Sequence, residues 1–266
     1  MYRGFKISFD EDPFETNEYL QGLARHALMQ DRIESTLDAY LDINGVLNAS
    51  KMQADWFPQV KADVFISHAH KDKDLAVSFA GWLHVAFGLS SFIDSCVWGH
   101  ASVLQARIDK AFCYNSVTKT YDYTQRNYST SHVHMMLATA LTRMIDNCEC
   151  LFFLNTPSSL TIEQAVKDVG KTLSPWIYHE LAISQMLRPK KKTRERRFNR
   201  FGEKHYESLE KSDLQIAHHV DLSHLNTLDL GDLIKWAEAC RSQTGADTLD
   251  VLYDQSPPRN DNRLYS

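Results

Sequence analysis

The sequence predicts an α/β protein built on a parallel sheet, and three observations carry that prediction. Residues 62–67 (ADVFIS) form a compact apolar run that leads straight into a charged loop. Residues 73–87 then place Leu75, Ala76, Phe79, Leu83 and Phe87 at helical spacing, and Gly88 stands where a helix C-cap is expected. Residues 89–93 give a second apolar run, so strand, helix and strand fall within about 35 residues, the span of a right-handed βαβ unit. A third run, CLFFL at 150–154, reads as a buried strand.

Bulk composition bounds the rest. The 266 residues suit one large domain, or one domain with additions. A hydrophobic content of 43% is ample for a core, and a net charge of −5 argues against general nucleic-acid binding. No apolar run approaches the ~20 residues that span a bilayer. The start, Met1-Tyr2-Arg3-Gly4-Phe5-Lys6, lacks the apolar block of a signal peptide. The expectation is a cytoplasmic protein with no membrane and no nucleic-acid partner. The five cysteines are too scattered for a disulfide framework. Cys148-Glu149-Cys150, His132-Val133-His134 and His218-His219 have no second ligand pair at zinc spacing, so no metal is expected.

Along the chain, residues 1–60 read as an N-terminal helical extension. Leu20, Leu23, Ala24, Ala27 and Leu28 follow helical spacing, as do Ile33, Leu37, Tyr40 and Leu41. Its apolar positions beyond the needs of the sheet suggest either packing on the main domain or contact with a neighbouring molecule. The main domain is expected over 61–243. Asp94 to His100 is a loop after the second strand, and 103–112 suggests a helix. Residues 114–131, where tyrosines alternate with polar residues, read as an inserted loop. Met135 to Ile145 forms a further amphipathic helix. Ser174 is a good N-cap, with Pro175 at the first helical position, for a helix that stops before Pro189. The basic run over 190–200 reads as a solvated loop or helix end. A strand over 214–222 and a helix around Leu230 to Ala237 follow, and 244–266 is expected to be a C-terminal tail.

In an open parallel sheet, ligands sit outside the carboxyl ends of the strands. That edge collects Ser67 and His68, the loop from Asp94 through Trp98, and the loop that begins at Asn155. Trp176 and Glu180, four apart, share one face of the helix that starts nearby. An aromatic ring beside a carboxylate is a place to hold a flat ring and stabilise a cation. Each residue also has a plainer role. Trp176 can be sheet packing, Glu180 a helix-surface acid, Asp94 a helix cap, Ser67 and Asn155 turn residues, and His68 a loop histidine.

Taken together, these segments resemble a TIR domain. The matching stretches are Asp63 to Lys71 (DVFISHAHK), Phe92-Ile93-Asp94, the turn Leu154-Asn155-Thr156-Pro157-Ser158, and the WxxxE pattern from Trp176 to Glu180. The resemblance covers about residues 61–240 and departs from the family at 114–131 and 190–204. It implies a flavodoxin-like TIR domain with a central parallel sheet flanked by helices. It also implies cleavage of NAD⁺, as substrate rather than cofactor, at the bond between nicotinamide and ribose. In that chemistry the nicotinamide leaves as a neutral ring, and the barrier lies in positive charge growing on the ribose. One fixed carboxylate can stabilise that charge. The resemblance makes Glu180 the catalytic carboxylate. Trp176 packs on the ring or ribose, and His68 lines the nicotinamide side. Asp94 and Trp98 sit in a mobile loop where Trp98 can stack on a base, and Ser67 and Asn155 complete the lining.

Three function classes follow. One is an enzyme that makes a cyclic or conjugated ADP-ribose signal for a separate effector, as in stand-alone bacterial TIR proteins of the Thoeris antiphage system, where a phage-derived trigger is expected. The others are a plain NAD⁺-depleting toxin and a non-enzymatic scaffold. The resemblance also implies self-association, because active sites in such enzymes are often completed by a neighbouring molecule.

Overall fold

A computed structural model describes residues 3–9, 11–29, 36–98, 101–164, 169–187 and 217–257. The chain opens with β1 (Arg3–Ile7) and α1 (Thr16–Met29), followed by α2 (Ala49–Trp56), β2 (Val64–Ser67), α3 (Lys73–Phe87) and β3 (Ser91–Phe92). A single turn, α4 (Asp94–Val97), and α5 (Ala101–Ile108) lead through a π turn at Asp109–Cys113 into a hairpin of β4 (Tyr114–Asn115) and β5 (Thr120–Tyr121). Then come α6 (Tyr123–Asn147), β6 (Cys150–Leu154), β7 (Thr161–Gln164), β8 (Val169–Thr172) and α7 (Pro175–Met186). The last elements are β9 (His218–Asp221), β10 (Asn226–Leu228), α8 (Leu230–Ala239) and α9 (Asp247–Gln255).

Five strands make one parallel sheet in the order β10-β1-β6-β2-β3. Side-chain alternation along the strands builds two cores. Phe65, Leu151 and Phe153 face a layer that includes Trp56, Phe57, Trp98, Val133, Leu141 and Ile177. Phe5, Ile7, Val64, Ile66, Phe152 and Leu154 face the opposite layer, with Phe79, Leu83, Trp236 and Leu252. The protein is therefore α/β, a five-stranded parallel sheet flanked by helices and consistent with a flavodoxin-like fold.

Local signals placed several elements. Gly88 ends α3 with a φ of 70°, a left-handed conformation that costs glycine little, and its N–H donates to the His84 carbonyl at 2.8 Å. Ser174 caps α7 by accepting from the Ile177 N–H at 3.3 Å, with Pro175 in the first turn.

The structure corrects the reading of residues 1–60 as a helical extension. β1 lies inside the sheet, paired with β6 from Arg3 to Ile7 and with β10 from Phe5 to Ile7. Nor is α1 left for a neighbouring molecule, since it packs along α3 of its own chain. Two glycines set that crossing. A Cβ on Gly81 would sit 1.7 Å from the Glu18 carbonyl oxygen, and one on Gly22 would sit 2.2 Å from that of Val77.

The expected insertion at 114–131 is also corrected. Only the hairpin is non-helical, and α6 begins at Tyr123, where the Asp122 carboxylate accepts from the Gln125 N–H at 2.8 Å. The helical period is silent there because the first turns of α6 are exposed on every side up to Ser129. Likewise 244–266 is not all tail: α9 buries Leu249, Leu252 and Tyr253. Within the expected strand over 214–222, β9 joins β7 and β8 in a separate antiparallel sheet. Ile33, Gly99, His100 and the basic run over 190–200 lie outside the described residues. Among the described residues, no helix is long and apolar enough to cross a membrane.

The glycine crossing makes a sharp prediction. Alanine is favoured over glycine inside a helix by up to about 1 kcal/mol. At Gly81 a main-chain oxygen occupies the space a methyl needs, and overpacking of that kind costs about 1–3 kcal/mol. Gly81→Ala should therefore lower the urea midpoint; an unchanged or higher midpoint would show that α1 does not press on α3.

Candidate active site

The carboxyl edge of the sheet brings together the ends of β2, β3 and β6 and one face of α7. Glu180 is at its centre. It is 4% exposed, and Ser67, the last residue of β2, donates its hydroxyl to Glu180 Oε2 at 2.5 Å. Burial pushes the Glu180 carboxyl well above the usual carboxylate range, the negative charge of Asp94 adds to the rise, and the Ser67 hydrogen bond opposes it. The resting site thus favours a neutral, proton-bearing Glu180. The helix-surface reading of this residue does not hold.

His68 is buried and also belongs to this edge. Its Nδ1 lies 3.3 Å from the Ile66 carbonyl and Nε2 lies 3.2 Å from Ser95 Oγ. The Ile66 carbonyl can only accept, so Nδ1 donates to it, and Nε2 is the nitrogen left to bond the Ser95 hydroxyl. Ser95 is in turn held by Lys73, whose Nζ donates to its carbonyl at 3.4 Å. Asp94 opens α4, and its Oδ1 accepts from the Ser95 N–H at 2.6 Å. The described part of the segment expected to be a mobile loop, residues 94–98, therefore begins with a helical turn tied to His68 and to the start of α3.

Trp98 departs most from expectation. It is 4% exposed, its Nε1–H donates to the Pro58 carbonyl at 2.8 Å, and its ring packs edge-on against Phe57 and Phe92. It is a core residue, buried beneath the loop, and its ring is closed to a base. Asn155 donates from Nδ2 to Ser8 Oγ at 3.0 Å, and its backbone N–H donates to the Ile7 carbonyl. It joins the ends of β6 and β1, as a turn residue does. Trp176 is half-buried against the α6 side of the core, edge-on to His134 with ring centroids 5.5 Å apart.

The structure thus gathers Ser67, His68, Asp94 and Glu180 at one place and gives Trp98 a packing role. Sequence reasoning missed Ser95 and Lys73, which brace α4. It also missed the pair Thr156–Asp72, in which Thr156 Oγ1 donates to Asp72 Oδ2 at 2.5 Å. Asp72 precedes α3 without capping it, so its tie to the loop after β6 leaves no local sequence signal. Among the described residues no group of three metal-ligating side chains is present. No protein-family model, curated protein or solved structure matches the chain.

Two outcomes follow. Trp98→Ala should cost about 3–5 kcal/mol of stability by chemical denaturation, as for a large ring removed from a core; a loss near zero would return Trp98 to a loose loop. For Glu180, the folded state holds the proton more tightly than the unfolded chain. Its contribution is therefore fully present below about pH 4.5 and is lost as pH rises through the raised folded value. Glu180→Gln mimics the neutral acid and removes that loss. The variant should melt above the wild type at about pH 8 and converge with it near pH 4. Parallel melting curves across that range would mean that Glu180 is not held neutral.

Proposed function

We propose that this chain cleaves NAD⁺ at the nicotinamide–ribose bond, with Glu180 as the group that stabilises the reacting ribose. The observation that carries this reading is the carboxyl of Glu180, fixed by Ser67 at the ligand-binding edge of a parallel sheet with Asp94 nearby. A buried carboxyl with a raised proton affinity, next to a second acid at the ligand-binding edge of the sheet, supports a functional role for the group.

The chemistry is consistent with that pattern. NAD⁺ brings a positively charged nicotinamide ring. A cation at this edge offsets the charge of Asp94 and favours loss of the Glu180 proton. The bond between ribose C1′ and the ring nitrogen breaks with its electron pair moving onto nicotinamide, which leaves neutral. The positive charge then lies on the ribose. An ionised Glu180 stabilises it until water or a hydroxyl group adds to C1′, and the added nucleophile gives up its proton. His68 and Ser95 keep the wall of this edge in place. Following the TIR resemblance, the product is an ADP-ribose derivative, cyclic or conjugated, that signals to a separate effector in antiphage defence in the cytoplasm.

The bond between Ser67 and Glu180 also suits a second reading, a non-enzymatic scaffold in which Glu180 simply closes the end of β2. The decisive measurement is incubation of the purified protein with NAD⁺, alone and with phage-infected lysate, followed by mass identification of every adenine-containing product. Cleavage is expected, and Glu180→Gln should reduce it by about 10²–10³-fold while the protein stays folded. No product from wild-type protein in either condition, or full activity in the variant, sinks the enzymatic reading.

A further inference from the structure

Helix α1 is held to the rest of the molecule by very little. Among its described side chains, residues 16–27, only Gly22 and His26 are buried, and Leu20 and Leu23 face solvent. Tyr19 is half-buried, and its hydroxyl donates to Asp74 Oδ1 at 3.3 Å. An element with so little buried apolar surface belongs to the low-stability end of a fold and opens before the core does. The crossing with α3 is also too close to slip, since main-chain oxygens stand where side chains of Gly22 and Gly81 would begin. Helix α1 is therefore either docked or released, with no room to turn His26 outward in place.

His26 stands in the last turn of α1 and is 4% exposed. Its Nδ1 lies 2.8 Å from the Gly22 carbonyl, which can only accept, so Nδ1 donates and Nε2 of the neutral ring keeps a lone pair. Nε2 is buried and has no hydrogen-bond partner among the described residues, and the same holds for His84 Nδ1 and Ser91 Oγ. These three residues line one cavity between α1, α3 and β3, with Arg25 and Ser90 also on its wall. At about 10 Å³ the cavity is the size of about one water, which leaves no room for a counter-ion beside a proton on Nε2. No carboxylate lines it. The groups that surround His26 are Arg25 on its own helix, His84 and Lys73 on α3, and His68 after β2, all of them cationic once protonated. On α4 the titratable groups are Asp94 and Cys96. The Asp63 carboxylate reaches the wall only through Ser90, whose N–H and hydroxyl donate to it at 2.9 and 2.6 Å. Burial lowers the proton affinity of His26. The Gly22 carbonyl and the nearby Ser91 backbone oppose that fall, and Lys73 and His68 add to it.

We infer that His26 is an acid-sensitive latch: neutral, it lets α1 dock on α3 and β3, and protonated, it favours the form in which α1 is released. The docked form holds the proton less tightly than the released form, where the ring has its ordinary value of 6.5. Docking is therefore at full strength above about pH 6.5 and is lost as pH falls toward the depressed value of the docked ring. His84, whose proton affinity burial also lowers, acts in the same direction. Glu180 acts in the opposite one, because its raised proton affinity makes the fold firmer in acid. Helix α1 also packs on α4, the turn in which Asp94 and Ser95 frame His68. Release of α1 thus takes a support from the candidate site, and acid would regulate that site from behind. The release itself is a property of the α1–α3 seam, whether or not the sheet edge cleaves NAD⁺.

The test is hydrogen–deuterium exchange of the full chain between about pH 7.5 and about pH 5, with rates corrected for the intrinsic pH dependence of amide exchange. Protection of residues 16–27 should fall about tenfold toward pH 5, under a ceiling of about 30-fold set by a released histidine at 6.5, while β6 keeps its protection. His26→Gln takes up no proton there, so its α1 protection should stay constant within about twofold. A magnetic-resonance titration of the His26 ring in the wild type should give a value below 6.5, a reading that holds even if the variant does not fold. Unchanged α1 protection in the wild type, an equal fall in His26→Gln, or a His26 ring that titrates at or above 6.5 each overturns the inference.

Discussion

The structure depends on burying one strand, β6, on both faces and along both edges. Phe152 and Leu154 enter one core and Leu151 and Phe153 the other, while β1 and β2 take up its backbone groups on either side. A backbone polar group left bare in such a place costs as much as a lost hydrogen bond. The neighbours of β6 must therefore be strands in register, and the two helical layers must be apolar where they meet it. The edge that ends in Ser67, Asp94 and Asn155 inherits its geometry from that requirement.

Burial also sets the chemistry at that edge. Glu180 extends from α7 into a region from which water is largely excluded, and its carboxyl accepts a hydrogen bond from Ser67 at the end of β2. In a low-dielectric setting a carboxylate interacts strongly with any charge brought near it, and it resists ionising until one arrives. A group of this kind responds to a cationic ligand and stays quiet without one. Asp94 tightens that behaviour because its own charge disfavours a second negative charge beside it.

The parts of the fold that were legible in the sequence are those specified locally. Helix α3 announces itself by spacing and by Gly88; α7 by Ser174 and Pro175; β6 by an unbroken apolar run. What stayed hidden is specified at a distance. In β1, Phe5 and Ile7 alternate with Gly4 and Lys6 over only five residues, too short a pattern to stand out when the pairing strand comes almost 150 residues later. In α6 the first turns have no buried face and so no period. In the candidate site, spacing on a helix brought out Trp176 and Glu180 together. It did not separate an aromatic that lines a site from one that packs beside it, and Trp98 shows how a glycine-flanked tryptophan after a strand can belong to the core. Ser95 reaches His68 through its hydroxyl and Lys73 reaches the Ser95 carbonyl, contacts between elements for which residue type carries almost no signal.

The position of β1 has a consequence for how the protein is made. Synthesis delivers this strand first, yet β6 is added only after residue 150, and β10, which covers its other edge, only after residue 226. Local pieces such as the βαβ unit of β2, α3 and β3 can form on the growing chain, but β1 cannot join them until β6 is made, and its other edge stays open until β10 follows. Contacts of such long sequence separation slow folding, and an open strand edge during the wait invites pairing with the wrong chain. Completion of the sheet thus waits for β10, and the nascent chain passes through a stage in which β1 must be kept from other strands.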